Sequence, residues 1–191
     1  MTAIVDLEPA ARRLARLVEG VPDRALGGPT PCRDYTVGDL VEHIGGAARS
    51  FRASAVKQPL GAARPGDASR LGPDWRTAIP RDLLAMAEAW KDPEAWAGMT
   101  GAGGIDLPGE VAGVVGLDEL VIHGWDLARA TGQPDGYDGP GLEAVHGMVS
   151  QLRAAGVEGI FGPPVEVAGE RPLLERILGL TGRDPDWRPP A

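Results

Sequence analysis

The chain has 191 residues, of which 43% are hydrophobic and 5% aromatic, and its formal net charge is −8. This length suits one domain with a sizeable core. The acidic balance provides no basic surface, so we expect neither nucleic acid nor an anionic membrane as a partner. Cys32 is the only cysteine, which excludes an internal disulfide and a cysteine-rich zinc module.

No run approaches the roughly 18 to 20 consecutive apolar residues that a membrane span requires. The first residues, MTAIVDLEPAARRL, lack the basic-then-apolar order of a secretory signal. We therefore expect a cytoplasmic protein that acts on a small molecule. The sequence leaves open whether it is a monomer or a homodimer.

In the amino-terminal part, apolar residues at helical spacing predict a first helix from about residue 3 to 20. Pro9 must lie in its first turn or bend it. The following residues, 22–35, are dense in glycine and proline and predict a loop.

The second helix is expected from about residue 37 to 56. Thr36 is suited to cap its amino terminus, and Asp39 adds negative charge to its first turn. Residues 57–76 have no sustained period and are rich in Gly, Pro and Arg. They predict an extended surface connection that could cover a pocket mouth.

The next helix is expected to begin at Pro80, a residue suited to a first helical position, and to end at Lys91 before Asp92-Pro93. After a predicted loop at 97–108, a fourth helix should span 109–131. It should stop at Gly132.

Two further helices are expected, over residues 140–154 and 172–180. The only alternation of strand length is the short VEVAG at 165–169. The pattern predicts an all-α fold, most simply an antiparallel bundle. We expect residues 1–160 to form the bundle and residues 161–191 a carboxy-terminal extension packed on it.

The stretch GLDELVIHGWDLARA carries three polar groups at helical spacing, Glu119, His123 and Asp126. Positions i, i+4 and i+7 share one face of a helix, here a face that is otherwise apolar. A divalent metal would account for polar groups on an inward face. A buried carboxylate–imidazole hydrogen bond, or an exposed pair of little energetic value, fits the spacing equally well.

His43 lies on the flank of the apolar stripe of the second helix. If the two helices face each other, His43 completes a set of two imidazoles and one carboxylate. Asp126 would then orient a ligand imidazole, or serve only as a capping or surface charge. His146 is expected to be a surface or packing histidine. Cys32 either approaches the site or packs as a small buried hydrophobe at the entry to the second helix.

Four segments together resemble the metal-binding domain of mycothiol-dependent maleylpyruvate isomerases, in the DinB-like superfamily of metal-binding four-helix bundles. They are TPCRDYTVGDLVEHIGG at 30–46, EAWKDPEAW at 88–96, DELVIHGWDLARATGQP at 118–134 and LLERILGLTGRDPDW at 173–187. The resemblance implies an up-down-down-up bundle with additional short carboxy-terminal helices. It also implies that His43, Glu119 and His123 bind a metal.

The chain differs from the isomerases in two respects. Their second, carboxy-terminal domain is replaced here by a short tail that resembles a single-domain actinobacterial subfamily, which speaks against maleylpyruvate isomerisation itself. Tyr35 occupies a position where Trp is common in the family. This second difference is expected to affect packing only.

The resemblance and the donor set lead to one main functional hypothesis. Two imidazoles and one carboxylate leave a coordination position open on zinc, or on nickel or iron. We expect mycothiol or a similar thiol to bind there and to be used for S-transfer or isomerisation of an electrophile. A non-catalytic thiol sensor or accessory protein is the alternative. Oxygen-using Fe(II) chemistry shares the donor set but normally belongs to β folds.

Overall fold

A computed structural model describes residues 4–157 and 159–190. An antiparallel hairpin lies between its fourth and fifth helices, and the remaining regular structure is helical, so the predicted all-α class is confirmed. In chain order the elements are α1 (Glu8–Glu19), α2 (Val37–Ala55), α3 (Trp75–Ala89), α4 (Pro93–Trp96), β1 (Met99–Ala102), β2 (Ile105–Pro108), α5 (Gly109–Thr131), α6 (Leu142–Ala154) and α7 (Leu173–Leu180).

Helices α1, α2, α3 and α5 form the bundle, and contacts near their ends give their directions. The start of α1 meets the end of α3 through Glu8 and Lys91, 2.7 Å apart. Its other end meets the start of α3, where Arg76 donates to the carbonyl of Val21 at 2.8 Å. These two helices are therefore antiparallel. Helix α5 runs parallel to α1, since Leu17 near the end of α1 accepts a bond from Gln133, just past the end of α5.

Helices α2 and α3 run in the same direction. The indole of Trp90, just beyond α3, donates to the carbonyl of Phe51 near the end of α2 at 3.0 Å. Earlier in both helices, a Cβ at Gly45 would lie 2.9 Å from Ile79. Because α1 and α5 point the other way, the bundle is up-down-down-up, as the resemblance implied. Two parallel neighbours require a long connection, which residues 56–74 provide.

The local signals at the ends of the two site-bearing helices act as predicted. The Thr36 hydroxyl accepts from the backbone N–H of Asp39 at 3.2 Å, and the Asp39 carboxylate accepts from the N–H of Thr36 at 3.0 Å. This capping box fixes the start of α2. Gly132 ends α5 in the left-handed region, at φ 69°.

Two helix starts differ from the prediction. Helix α3 begins at Trp75, so Pro80 lies inside it rather than at its first position. The earlier turn forms because Trp75 and Ile79 are buried, and apolar burial outweighs the one helical hydrogen bond that Pro80 cannot donate. Helix α1 begins at Glu8, and residues 4–7 are not helical. The predicted start at residue 3 lies outside the described residues.

The segment predicted as a loop at 97–108 forms the hairpin. Its two turn residues, Gly103 and Gly104, have φ values of 61° and 90°, as a two-residue type I′ turn requires. Thr100 anchors it to α2 by donating to the carbonyl of Ser54 at 2.7 Å. The strand suggested at 165–169 is not formed. There, the N–H of Val165 donates to the carbonyl of Gly179 at 2.9 Å.

The carboxy-terminal elements lie against the bundle. Helix α6 packs on α5 and α7, and the Arg153 guanidinium donates to the carbonyl of Leu180 at 2.8 Å. Within the described part of the chain, every helix is too short or too polar to cross a lipid bilayer.

Candidate metal centre

The antiparallel contact between α2 and α5 places His43 opposite Glu119. His43 Nε2 lies 3.1 Å from Glu119 Oε2, and His123 Nε2 lies 3.4 Å from the same oxygen. The two imidazole rings meet edge to face, with centroids 4.8 Å apart. Thus the structure brings together the three residues that the sequence singled out as ligands.

The distances suit a single small ion. One donor atom from each of His43, Glu119 and His123 lies within 4.8 Å of the other two. With metal–ligand bonds of about 2.0 Å, donors at the corners of a tetrahedron are about 3.3 Å apart. Both histidine-to-glutamate distances are close to that value. Two imidazoles and one carboxylate therefore fit a divalent ion with an open fourth position.

Asp126 determines which nitrogen of His123 faces the other ligands. Its Oδ2 lies 3.0 Å from His123 Nδ1, and the side chain is fully buried. An ionised carboxylate only accepts hydrogen bonds, so Nδ1 carries a proton, and in the neutral form of the ring the lone pair lies on Nε2. This is the orientation that a metal-binding histidine needs. The orienting role of Asp126 requires this contact and stays a prediction.

Arg183 is the member of the cluster that sequence reasoning missed. Its Nη2 donates to Asp126 Oδ2 at 2.9 Å, and its Nε donates to Oδ1 at 3.3 Å. It follows α7, 57 residues from its partner, so no helical spacing could connect the two. The quoted segment 173–187 contained it, but without a distinguishing pattern.

Opposing effects determine the protonation of the three ligating and orienting groups. Burial alone would raise the pKa of Glu119, but the hydrogen bond from His43 and the nearby positive charges lower it to about 2. Burial lowers the pKa of His43, and Glu119 outweighs that and raises it. Burial also opposes ionisation of Asp126, yet Arg183 and His123 keep its pKa below the ordinary value. The cluster therefore favours charged carboxylates.

Cys32 lies beside this cluster. Its sulfur and one donor atom each of His123 and Asp126 all lie within 4.8 Å of one another. Burial, followed by the negative charge of Asp126, raises the pKa of the thiol to about 11. The sequence left open whether Cys32 approaches the site. The structure places it there as a protonated, neutral group.

Asp118, one residue before Glu119, was not singled out from the sequence. It is only 6% exposed, and its Oδ1 has no hydrogen-bond partner among the described residues. Burial, and then the charge of Glu119, raise its pKa to about 8. Asp118 is thus the carboxyl group near the centre that favours the protonated form.

The connection between α2 and α3 is attached beside His43. The ring of Tyr35 lies 5.3 Å from that of His43, and its hydroxyl accepts from the N–H of Gly66 at 3.2 Å. Glu42 and Arg70 form an ion pair at 2.8 Å. Tyr35 therefore does more than pack, since it also holds the connection. This part of the predicted connection is tied to α2.

The interior next to the ligands has little free space. A cavity of about 10 Å³ adjoins Glu119 and His123, about the size needed for one water. Its other walls are apolar and include Ile44, Phe51 and Met86. The side chains of His43 and Glu119 are 19% and 27% exposed, so the approach for a ligand lies at their solvent-facing edge.

His146, the third histidine, lies on α6. Arg176 of α7 donates to its Nε2 at 3.3 Å. Among the described residues it belongs to neither group of converging metal-ligating atoms. This agrees with the expected packing role.

Three comparisons with known proteins bear on this site. The family described as mycothiol maleylpyruvate isomerase N-terminal domain matches residues 7–128. Two uncharacterized Mycobacterium tuberculosis proteins, MT0763 of strain CDC 1551 / Oshkosh and Rv0738 of strain ATCC 25618 / H37Rv, are each 31% identical to this chain. Each alignment covers 96% of this chain and 98% of the relative.

The crystal structure of the mycothiol-dependent maleylpyruvate isomerase matches with a TM-score of 0.64 at 15% identity. At that identity the match shows a shared fold. The alignment covers 94% of this chain and 88% of the isomerase. It extends beyond the bundle, whereas the sequence led us to expect a large domain of the isomerase without counterpart here.

Proposed function

The chain belongs to the mycothiol maleylpyruvate isomerase N-terminal domain family, and on that premise we propose that it is a metal-dependent enzyme acting on an electrophilic small molecule with a low-molecular-weight thiol such as mycothiol. One observation carries the proposal. His43, Glu119 and His123 converge from two helices with one donor atom each, all within 4.8 Å of one another. Membership of this family supports a low-molecular-weight thiol as the co-substrate.

In this proposal each residue of the centre has a distinct task. His43, Glu119 and His123 hold a divalent ion, with zinc as the first candidate and nickel or iron as alternatives. A bound ion would stabilise the thiolate form of a coordinated thiol. Asp126 keeps the proton on Nδ1 of His123 and so keeps Nε2 directed at the ion. The solvent-facing edge at His43 and Glu119 admits the thiol and the electrophile.

Two reaction types fit this arrangement. Transfer of the sulfur to the electrophile gives an S-transferase, whereas reversible addition to an activated double bond permits rotation and gives an isomerase. Cys32, held protonated beside the cluster, does not compete as nucleophile. The incoming thiol supplies the sulfur in both cases.

The test is metal-dependent turnover. The protein is stripped with a chelator and reloaded with zinc or nickel. Thiol consumption, which reports S-transfer, and isomerisation of the electrophile, in which the thiol is regenerated, are then both followed against a panel of electrophiles that includes maleylpyruvate. We expect activity only after reloading and none for His123→Ala. His146→Ala is the matched control and should keep both metal and activity. Equal activity of His123→Ala and wild type would rule out the proposal, and binding of metal and thiol with neither thiol consumption nor isomerisation would favour the sensor or accessory role.

A further inference from the structure

We propose that Arg183 is a positioning residue of the metal centre, which fixes Asp126 and through it His123. The inference rests on the function proposed above, since it assumes that His123 binds a metal. It makes the segment after α7 part of the site. That segment lies outside residues 7–128, where the family match ends.

The contact between Arg183 and Asp126 has a specific geometry. Arg183 donates to both oxygens of Asp126, from Nη2 to Oδ2 at 2.9 Å and from Nε to Oδ1 at 3.3 Å. A bidentate contact fixes the plane of the carboxylate, whereas a single hydrogen bond would let the carboxylate rotate. Asp126 Oδ2 also accepts from His123 Nδ1 at 3.0 Å. The orientation of the imidazole therefore depends on the guanidinium.

The contact between Arg183 and Asp126 is also buried. Asp126 is fully buried and the Arg183 side chain is 11% exposed, so water screens their attraction little. Two more carboxyl groups, Asp118 and Glu119, lie on the same helix within reach of the charge of Arg183. The guanidinium thus offsets the negative charges of Asp126 and Glu119, which are costly to bury on α5.

The local sequence after α7 places Arg183 at this position. Helix α7 ends in a Schellman motif, in which the N–H of Gly182 donates to the carbonyl of Gly179 at 3.1 Å and the N–H of Arg183 donates to that of Leu178 at 2.8 Å. Gly182 has a φ of 82°, which glycine adopts without strain. The chain therefore turns sharply at Gly182, and the next residue is Arg183.

The guanidinium is also held from its own side of the contact. Its Nη1 donates to the carbonyl of Thr181 at 3.0 Å, so each of its three nitrogens has an acceptor. A side chain bonded in this way loses little further freedom when the metal binds. Docking of the 173–187 segment and metal binding are then coupled, and each favours the other.

The experiment compares metal binding in Arg183→Gln, Asp126→Asn, the double variant and wild type. The stripped proteins are titrated with Zn²⁺ against a competing chelator, and with Co²⁺ while the visible spectrum reports the ligand geometry. We expect Arg183→Gln to bind Zn²⁺ about 10- to 100-fold more weakly, the range for loss of a group that orients a ligand. The double variant should bind no more weakly than Asp126→Asn, because Arg183 acts through Asp126.

Two further variants control for structure. Arg171→Gln removes an arginine just before α7 that pairs with Glu175 and Asp186 at the surface, and it should bind as wild type does. Arg183→Lys keeps the positive charge but lacks the paired N–H donors that contact both oxygens of Asp126. Its affinity for Zn²⁺ should therefore fall between those of wild type and Arg183→Gln. Arg183→Lys decides the question if Arg183→Gln does not fold.

The results separate this inference from the proposed function. If wild type binds neither ion, the proposed function fails and this inference fails with it. If wild type binds but Arg183→Gln, or Arg183→Lys in its place, has the same affinity and cobalt spectrum, only the role of Arg183 is overturned. Losses that multiply in the double variant would also overturn it, because Arg183 would then act independently of Asp126.

Discussion

Helices α1 and α5 belong to the same bundle but are built differently. The buried residues of α1 are all apolar, whereas those of α5 include Asp118, His123 and Asp126. Burial of an apolar side chain stabilises the fold directly. Burial of a charged group is costly unless partners offset it, and Asp126 is offset by His123 of the same helix and by Arg183 of the segment after α7. Helix α5 therefore buries polar groups where α1 buries apolar side chains only.

The largest expected effect is on stability and metal affinity, when a substitution in α5 is compared with one in α1. Asp126→Ala leaves Arg183 buried without its partner and should cost about 3–5 kcal/mol of unfolding free energy. It should also weaken metal binding about 10- to 100-fold. In α1, Leu17→Ala should cost about 2–5 kcal/mol through the cavity that it creates, with metal affinity unchanged. Denaturant unfolding and metal titration measure both; unchanged metal affinity in Asp126→Ala would contradict the comparison.

A smaller effect concerns pH and the metal-free protein. The lowered pKa of Glu119 adds stability that is present above its unfolded value of 4.5 and is lost as the pH falls toward 2. The raised pKa of His43 adds stability that is present below 6.5 and is lost as the pH rises through the folded value. The contribution of the pair is therefore greatest between about pH 4.5 and 6.5.

The unfolding free energies of wild type and Glu119→Gln, measured from pH 3 to pH 9 without metal, test this window. Their difference should peak between the two unfolded pKa values. In α1, where the buried side chains are uncharged, Leu17→Ala should show no such peak. A flat difference for Glu119→Gln would show that the pair adds nothing to stability.

The smallest expected effect is at Cys32. Because its pKa is raised to about 11, the thiolate fraction near neutral pH is roughly 100-fold or more below that of an ordinary thiol. Alkylation of the folded protein should be correspondingly slow, should speed up as the pH rises toward 11, and should become fast in denaturant. Rapid alkylation of the folded protein at pH 7 would show that the thiol is not held in its neutral form.

The sequence predicted those features that local signals determine. Thr36 and Asp39 mark the start of α2, and Gly132 marks the end of α5, because capping and left-handed turns depend on neighbouring residues. Helical spacing grouped Glu119, His123 and Asp126 for the same reason. His43 lies close to these residues only if α2 and α5 face each other. The family resemblance implied that arrangement.

Other features depended on contacts between distant residues. The early start of α3 follows from burial of Trp75. The local sequence instead favours Pro80 as the first helical residue, so it does not indicate the earlier start. The hairpin carries no alternating pattern, since Gly101 and Gly103 interrupt it, and its attachment to Ser54 lies on another element. Arg183 meets Asp126 across 57 residues. Spacing along one helix contains no information on such a contact.

The most direct test of the central claim is the metal content of the purified protein beside that of His43→Ala. His43 is the one proposed ligand that comes from α2, so it distinguishes a centre built between two helices from a polar face of α5 alone. We expect about one divalent ion per chain in wild type and a large loss in His43→Ala. Equal metal content in the two proteins, or no metal in wild type after loading with zinc, nickel or iron, would contradict the account.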